Sequence, residues 1–247
     1  MGAMGEFRFS KIWIFMGTDD NFRKRKARKV VELERLQRSR TKGPRFLIVC
    51  EGQKTEPHYF SEFCEHHWLR TPRVRISPGE YGSSPGGVVS YAIDLYDEDA
   101  KLGPDRYDIV FCVIDRDTHS TYHAALHRIE ELNAEGKPFV AIPSVPCFEY
   151  WLLLHFTYTR QPFHAAGKKS ICEAVIRELR KQSGFHGYGK GQKGIYIHLR
   201  EQTTTAIKHA QRAEEDAREI GDDNPTTCIH KLVIALQDLA ISHGRKR

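Results

Sequence analysis

Two stretches of this chain are apolar without interruption for the length of a strand and then stop at acids. Phe46-Leu47-Ile48-Val49-Cys50 runs into Glu51-Gly52, and Tyr107 to Ile114 runs into Asp115-Arg116-Asp117. A strand with one wet face alternates apolar and polar residues; a strand buried on both faces does not. These two therefore predict central strands of a sheet covered on both sides. Weaker strand signals follow at Arg73–Ile76 and Phe139–Ile142, and helical patterns lie between them, from about Pro57 to Trp68, Val88–Ala100 and Thr121–Asn133. Thr55 is placed to cap the first of these. Strands alternating with helices predict an α/β fold with a mostly parallel sheet flanked by helices.

After Pro143 the pattern turns helical. Phe148–Phe156 reads as a buried helix, followed by Lys169–Gln182, Gln202–Ile220 and Thr226–Ala240, with Asn224-Pro225-Thr226 starting the last. The Gly184–Gly194 stretch, rich in glycine and lysine, reads as a flexible loop. Three segments result: a basic N-terminal arm over 1–44, an α/β core over 45–145, and a helical extension over 146–247 that packs on the core. The opening seven residues, Met1 to Phe7, read as an added tag.

Charge separates the arm from the rest. The chain carries a formal +6. Residues 1–45 hold thirteen Lys/Arg and five Asp/Glu, a net of +8, which leaves −2 for the remainder. Arg23, Lys24, Arg25, Lys26, Arg28 and Lys29 lie on a helical pattern with a thin apolar stripe, suited to phosphate contacts or to docking on a partner. No apolar run approaches the length that spans a bilayer, and the first residues lack a secretory pattern. Six cysteines without a C-x-x-C pair argue against a zinc knuckle or redox dithiol and for a reducing, cytoplasmic setting.

The acids at the strand ends carry the functional signal. Ligands of open parallel sheets bind beyond the carboxyl ends of the strands. If the two long strands are neighbours, Glu51, Asp115 and Asp117 converge on one rim, and carboxylates so close call for a cation. Hard oxygen donors suit Mg²⁺ or Mn²⁺. Glu56, at the start of the next helix, is either a further metal ligand or an acid favoured by the helix end, the second slightly preferred. Glu149 sits in an apolar segment, where an unpaired carboxylate is costly, so it serves the site or a buried salt bridge. Lys190 and Lys193 could reach a phosphate from the glycine-rich loop, or simply be solvated. His155 reads as a core histidine, and His230 as either packing or site.

Several segments together resemble a known family. Cys50-Glu51-Gly52-Gln53-Lys54-Thr55-Glu56, the Asp115-Arg116-Asp117 triplet, Pro146-Cys147-Phe148-Glu149-Tyr150-Trp151-Leu152-Leu153-Leu154-His155-Phe156, and Asn224-Pro225-Thr226-Thr227 leading to His230 look like the RloB-like phage-defence proteins. The glutamate and DxD pair is similar to that of TOPRIM domains. The resemblance covers about residues 45–240. It implies a TOPRIM-like fold, divalent-metal chemistry on RNA or DNA (tRNA among them), and a place in abortive-infection defence beside other components, with oligomers an option. Asp115, Asp117, Glu51, Glu149 and Lys190 would be catalytic. Glu51, Glu56, Asp115 and Asp117 would hold metal, and Lys193 and the arm would contact nucleic acid. The alternatives are a non-catalytic sensor or adaptor, and a phosphoryl or nucleotidyl transferase using the same acids.

Overall fold

A computed structural model describes residues 43–69, 73–82, 84–102, 106–117, 120–167 and 169–244. The basic arm, with Arg23, Lys24, Arg25, Lys26, Arg28 and Lys29, lies outside the described residues.

From residue 43 onward the chain forms one compact unit. Its centre is a five-stranded sheet of β1 (Phe46–Cys50), β2 (Val74–Pro78), β3 (Ile109–Asp115), β4 (Phe139–Val145) and β5 (Thr226–Thr227), in the order β2-β1-β3-β4-β5. The first four strands are parallel, and β5 adds antiparallel to β4. This is the predicted mixed α/β architecture, with the mostly parallel sheet flanked by helices. The connections are α1 (Thr55–His66) between β1 and β2, α2 (Pro85–Leu102) between β2 and β3, and α3 (Tyr122–Ala134) between β3 and β4.

The two apolar runs are central for the expected reason. Every residue of β1 is buried, and its side chains divide between two cores. Leu47 and Val49 pack with Val88, Ala92, Tyr122 and Ile129 of α2 and α3. Phe46, Ile48 and Cys50 face a larger core, shared by Tyr59, Phe60 and Phe63 of α1 and by the C-terminal helices. Those helices are α4 (Glu149–Leu153), α5 (Ile171–Leu179), α6 (Ile195–Leu199), α7 (Thr203–Ile220) and α8 (Ile229–Gly244). Trp151, fully buried in α4, is the largest side chain of that core.

Three local expectations are corrected. Thr226 and Thr227 do not start a helix; they pair with β4, and the Ser144 and Thr227 hydroxyls meet at 2.9 Å. The last helix begins at Ile229, whose N–H donates to the Thr227 hydroxyl. Asn224 spends its side chain on the Phe163 backbone instead of on a helix. The helix expected over Phe148–Phe156 is only Glu149–Leu153.

Candidate functional site

β1 and β3 are hydrogen-bonded neighbours, with Cys50 opposite Val113. Pairing continues one residue past β1, where the Glu51 N–H donates to the Val113 carbonyl at 3.0 Å. Glu51 then turns its carboxylate across the rim, and its Oε2 accepts the Asp115 N–H at 2.9 Å. β2 lies on one side of β1, and β3 and β4 on the other, so the strand order reverses at this point. Such a switch point opens a crevice at the carboxyl edge.

Asp115 ends β3, and the chain then bends sharply. Asp117 has φ of +28°, its N–H donating to the Pro146 carbonyl at 3.0 Å. Left-handed backbone is unfavourable for a residue with a Cβ and is commonly retained at functional sites. Arg116, between the two acids, turns away to Asp223.

Glu56 is drawn inward. The Glu56 carboxylate folds back over Gly52, where a Cβ would lie 2.0 Å from it, so a larger residue there would push that carboxylate aside. At 5% exposure it is buried. Burial and the charges of Glu149 and Glu51, opposed by its own backbone hydrogen bond and by Lys190, push its pKa up to about 7. Glu56 does stand in the first turn of the helix, and its own backbone hydrogen bond favours the ionised form; burial among the other acids outweighs that.

Glu149 enters from the first turn of α4 at 1% exposure. Its Oε1 accepts the Tyr188 hydroxyl at 3.3 Å and lies 3.6 Å from the Lys190 ammonium. Glu149 thus has the buried ion pair that one reading expected, with Lys190 as its partner, and it lines the same cavity as the strand-end acids. Burial tends to lower the Lys190 pKa, but Glu149, with Cys147, Cys172 and Asp115, raises it above the usual lysine value.

The loop that carries Lys190, read from sequence as flexible, is hydrogen-bonded to the first helix at several points. The Gly191 N–H donates to the Thr55 hydroxyl at 2.9 Å, and the Gly191 carbonyl lies 3.2 Å from His58 Nδ1. Glu62 accepts the N–H groups of Gly194 at 2.5 Å and Tyr196 at 2.9 Å. Thr55 therefore anchors this loop, and the N-cap of α1 falls to Lys54.

Together these groups line a cavity of about 330 Å³, formed by Glu51, Gly52, Gln53, Lys54, Thr55, Glu56, Asp115, Asp117, Glu149, Cys172, Lys190 and Gly191. All five predicted carboxylates and Lys190 are there. Lys193 is exposed and is not part of the lining. His155 and His230 are elsewhere. His155 is buried against the Trp151 carbonyl at 3.0 Å. His230 is buried between the Thr227 carbonyl at 3.2 Å and Glu214 at 3.6 Å.

The donor set fits a hard divalent cation. Asp115 Oδ1, Asp117 Oδ1 and Glu149 Oε2 are shielded from solvent without a hydrogen-bond partner. An ionised oxygen in that condition is costly unless a cation or proton joins it. Burial, with Glu56, Glu149 and Glu51 nearby, raises the Asp115 pKa well above the usual carboxylate range. Among the described residues no three such side chains already stand as a closed ligand group. Like charges without a counter-ion have no reason to close up.

A family model described as RloB-like protein matches residues 46–236, most of the chain and the whole of the cavity lining. The chain belongs to the RloB-like family. No curated protein and no solved structure matches it. No helix among the described residues is long and apolar enough to cross a membrane.

Sequence reasoning passed over Lys54, Tyr188 and Cys172. Lys54 was detectable: a lysine in front of Thr-Glu-Pro occupies a helix start, where lysine has no capping value. Tyr188 and Cys172 carry no local signal, because they reach the site through contacts distant in sequence.

Proposed function

We propose that this RloB-like protein is a Mg²⁺- or Mn²⁺-dependent, TOPRIM-type nuclease that hydrolyses phosphodiesters of RNA or DNA as an effector in cytoplasmic antiphage defence. One observation supports this above the others: five carboxylates line a single cavity at the switch point of the sheet, three of them with shielded oxygens that have no partner. Asp115 and Asp117 would hold the cation, with Glu51 sharing it or moving a proton, and Glu56 completing the acidic wall. A glutamate acting as base must come within about 2.6–3.2 Å of the water it activates. The cation, when bound, would stabilise charge on the phosphoryl oxygens and lower the pKa of a nearby water. Lys190 keeps the buried Glu149 charge matched on the same wall. The basic arm supplies phosphate contacts by its charge, which makes affinity fall with salt.

The decisive experiment incubates the purified chain with labelled tRNA, other RNA, single-stranded DNA and duplex DNA. Each is run with Mg²⁺, Mn²⁺ or EDTA, beside Asp115→Asn. Cutting that needs the metal and disappears in the variant is expected. Cutting that survives EDTA or the substitution sinks the metal assignment. No cutting on any substrate sinks the autonomous nuclease in favour of a sensor or adaptor.

A further inference from the structure

Two lysines line the cavity, and their charges are used differently. The Lys190 ammonium is 3.6 Å from Glu149 and is the counter-charge of that buried acid. Lys54 has no such duty. Among the described residues no carboxylate stands within ion-pair distance of it, and its side chain is exposed at the cavity mouth.

The position of Lys54 is also poor by the rules of helix formation. It is the N-cap of a 12-residue helix, with φ −136° and ψ −55°, and no side-chain hydrogen bond caps that end. Serine, threonine, aspartate or asparagine would satisfy a free N–H there, and a cation meets the positive end of the helix dipole. Thr55, the adjacent residue able to cap, is spent on the Gly191 N–H. Gly191 in turn has φ +81°, and a Cβ there would come within 3.0 Å of Lys54 Cβ and Cδ. The Lys54 stem therefore lies along bare loop backbone, which confines where its ammonium can go. A residue that breaks a local rule without a folding gain marks a functional position.

We propose that Lys54 is the substrate-facing cation of this site and holds the non-bridging oxygens of a nucleic-acid phosphate at the cavity mouth. This rests on the reading of the cavity as a nucleic-acid site. The division of labour is that Lys190 neutralises the protein's own acid, while Lys54 neutralises the substrate. Its ammonium offers three donors and tolerates any sequence, so it contributes affinity without base preference.

The test uses the full chain carrying Asp115→Asn, with Lys54, Lys54→Met or Lys54→Arg. The probe is a labelled single-stranded tetranucleotide, short enough to keep binding close to the cavity, titrated across a range of salt. Lys54→Met is expected to weaken binding about tenfold and to make the log–log salt slope shallower by about 0.7, the value for one phosphate contact on a single strand. Lys54→Arg should retain most of the affinity. The melting temperature of Lys54→Met should equal or exceed that of the parent, because lysine does nothing for that helix end. Equal affinity and slope for the Met variant overturn the proposal, as does a loss accompanied by a lower melting temperature or no measurable binding by the parent. If binding falls as expected but the wild-type chain cuts nothing with Mg²⁺ or Mn²⁺, hydrolysis is the part that fails and the phosphate contact stands.

Discussion

The carboxylate rim and the helical core both bury titratable side chains, and they do so with opposite consequences. In the core, burial lowers the pKa values of His155 and His230 to about 4, so both are neutral at pH 7. Each has a backbone carbonyl beside Nδ1. His155 Nε2 has no partner, but it belongs to an uncharged ring. At the rim, Glu56 and Asp115 are pushed upward by burial and by the charges of neighbouring acids, Glu149 and Glu51 beside both and Glu56 also beside Asp115, and the oxygens without partners belong to acids. Burial alone therefore does not mark a functional residue. What sets the rim apart is that several acids gather there, with Asp115, Asp117 and Glu149 each keeping a shielded oxygen that has no hydrogen-bond partner.

The sharpest way to break this contrast is to remove one acid and one core side chain in parallel. Asp115→Asn should lower cleavage by at least about a hundredfold, the scale on which removal of a single electrostatic group acts in catalysis. Its thermal stability should match or exceed wild type, because a like-charge repulsion is relieved. Trp151→Ala should do the reverse, costing about 3–5 kcal/mol in chemical denaturation through a large cavity. A destabilised Asp115→Asn would show that the rim acids hold the fold together.

The pH dependence separates the regions by sign. For Glu56 the folded pKa of about 7 lies above the ordinary value of 4.5, so the metal-free protein loses stability as pH rises through that window. For His155 and His230 the folded values near 4 lie below the ordinary 6.5, so stability is lost as pH falls through that window. Melting curves across pH 4–7.5 should show Glu56→Gln removing the upward loss and His155→Phe reducing the downward one. Mn²⁺ should raise the melting temperature at pH 7.5 in wild type and much less in Asp115→Asn. An identical shift in both proteins would place the cation away from the rim.

The smallest effect is expected at the seam between sheet and helices. Thr227→Ala removes a hydroxyl contact with Ser144 and the acceptor for the Ile229 N–H. A loss of about 1 kcal/mol is the usual scale for a cap or a single hydrogen bond, with cleavage unchanged.

Much of this protein is written locally. The buried strands β1 and β3, the acids that end them and the alternation with α1, α2 and α3 follow from apolar runs and breakers within a few residues of one another. Those patterns are enough for the parallel sheet and for the gathering of Glu51, Asp115 and Asp117 at its edge. They do not reach β5, because two threonines are too short to show a period. Nor do they reach the second half of the site. Glu149 meets Tyr188 across 39 positions, and Thr55 holds Gly191 across 136. The inward fold of Glu56 over Gly52 depends on what surrounds α1, since the same Glu near a helix start elsewhere points to water. Sequence by itself determined the strands, their carboxyl ends and the residue types available there. Tertiary packing decided which acids were gathered at one cavity and which lysine was paired with a buried acid, because desolvation and ion pairing are set by neighbours in space.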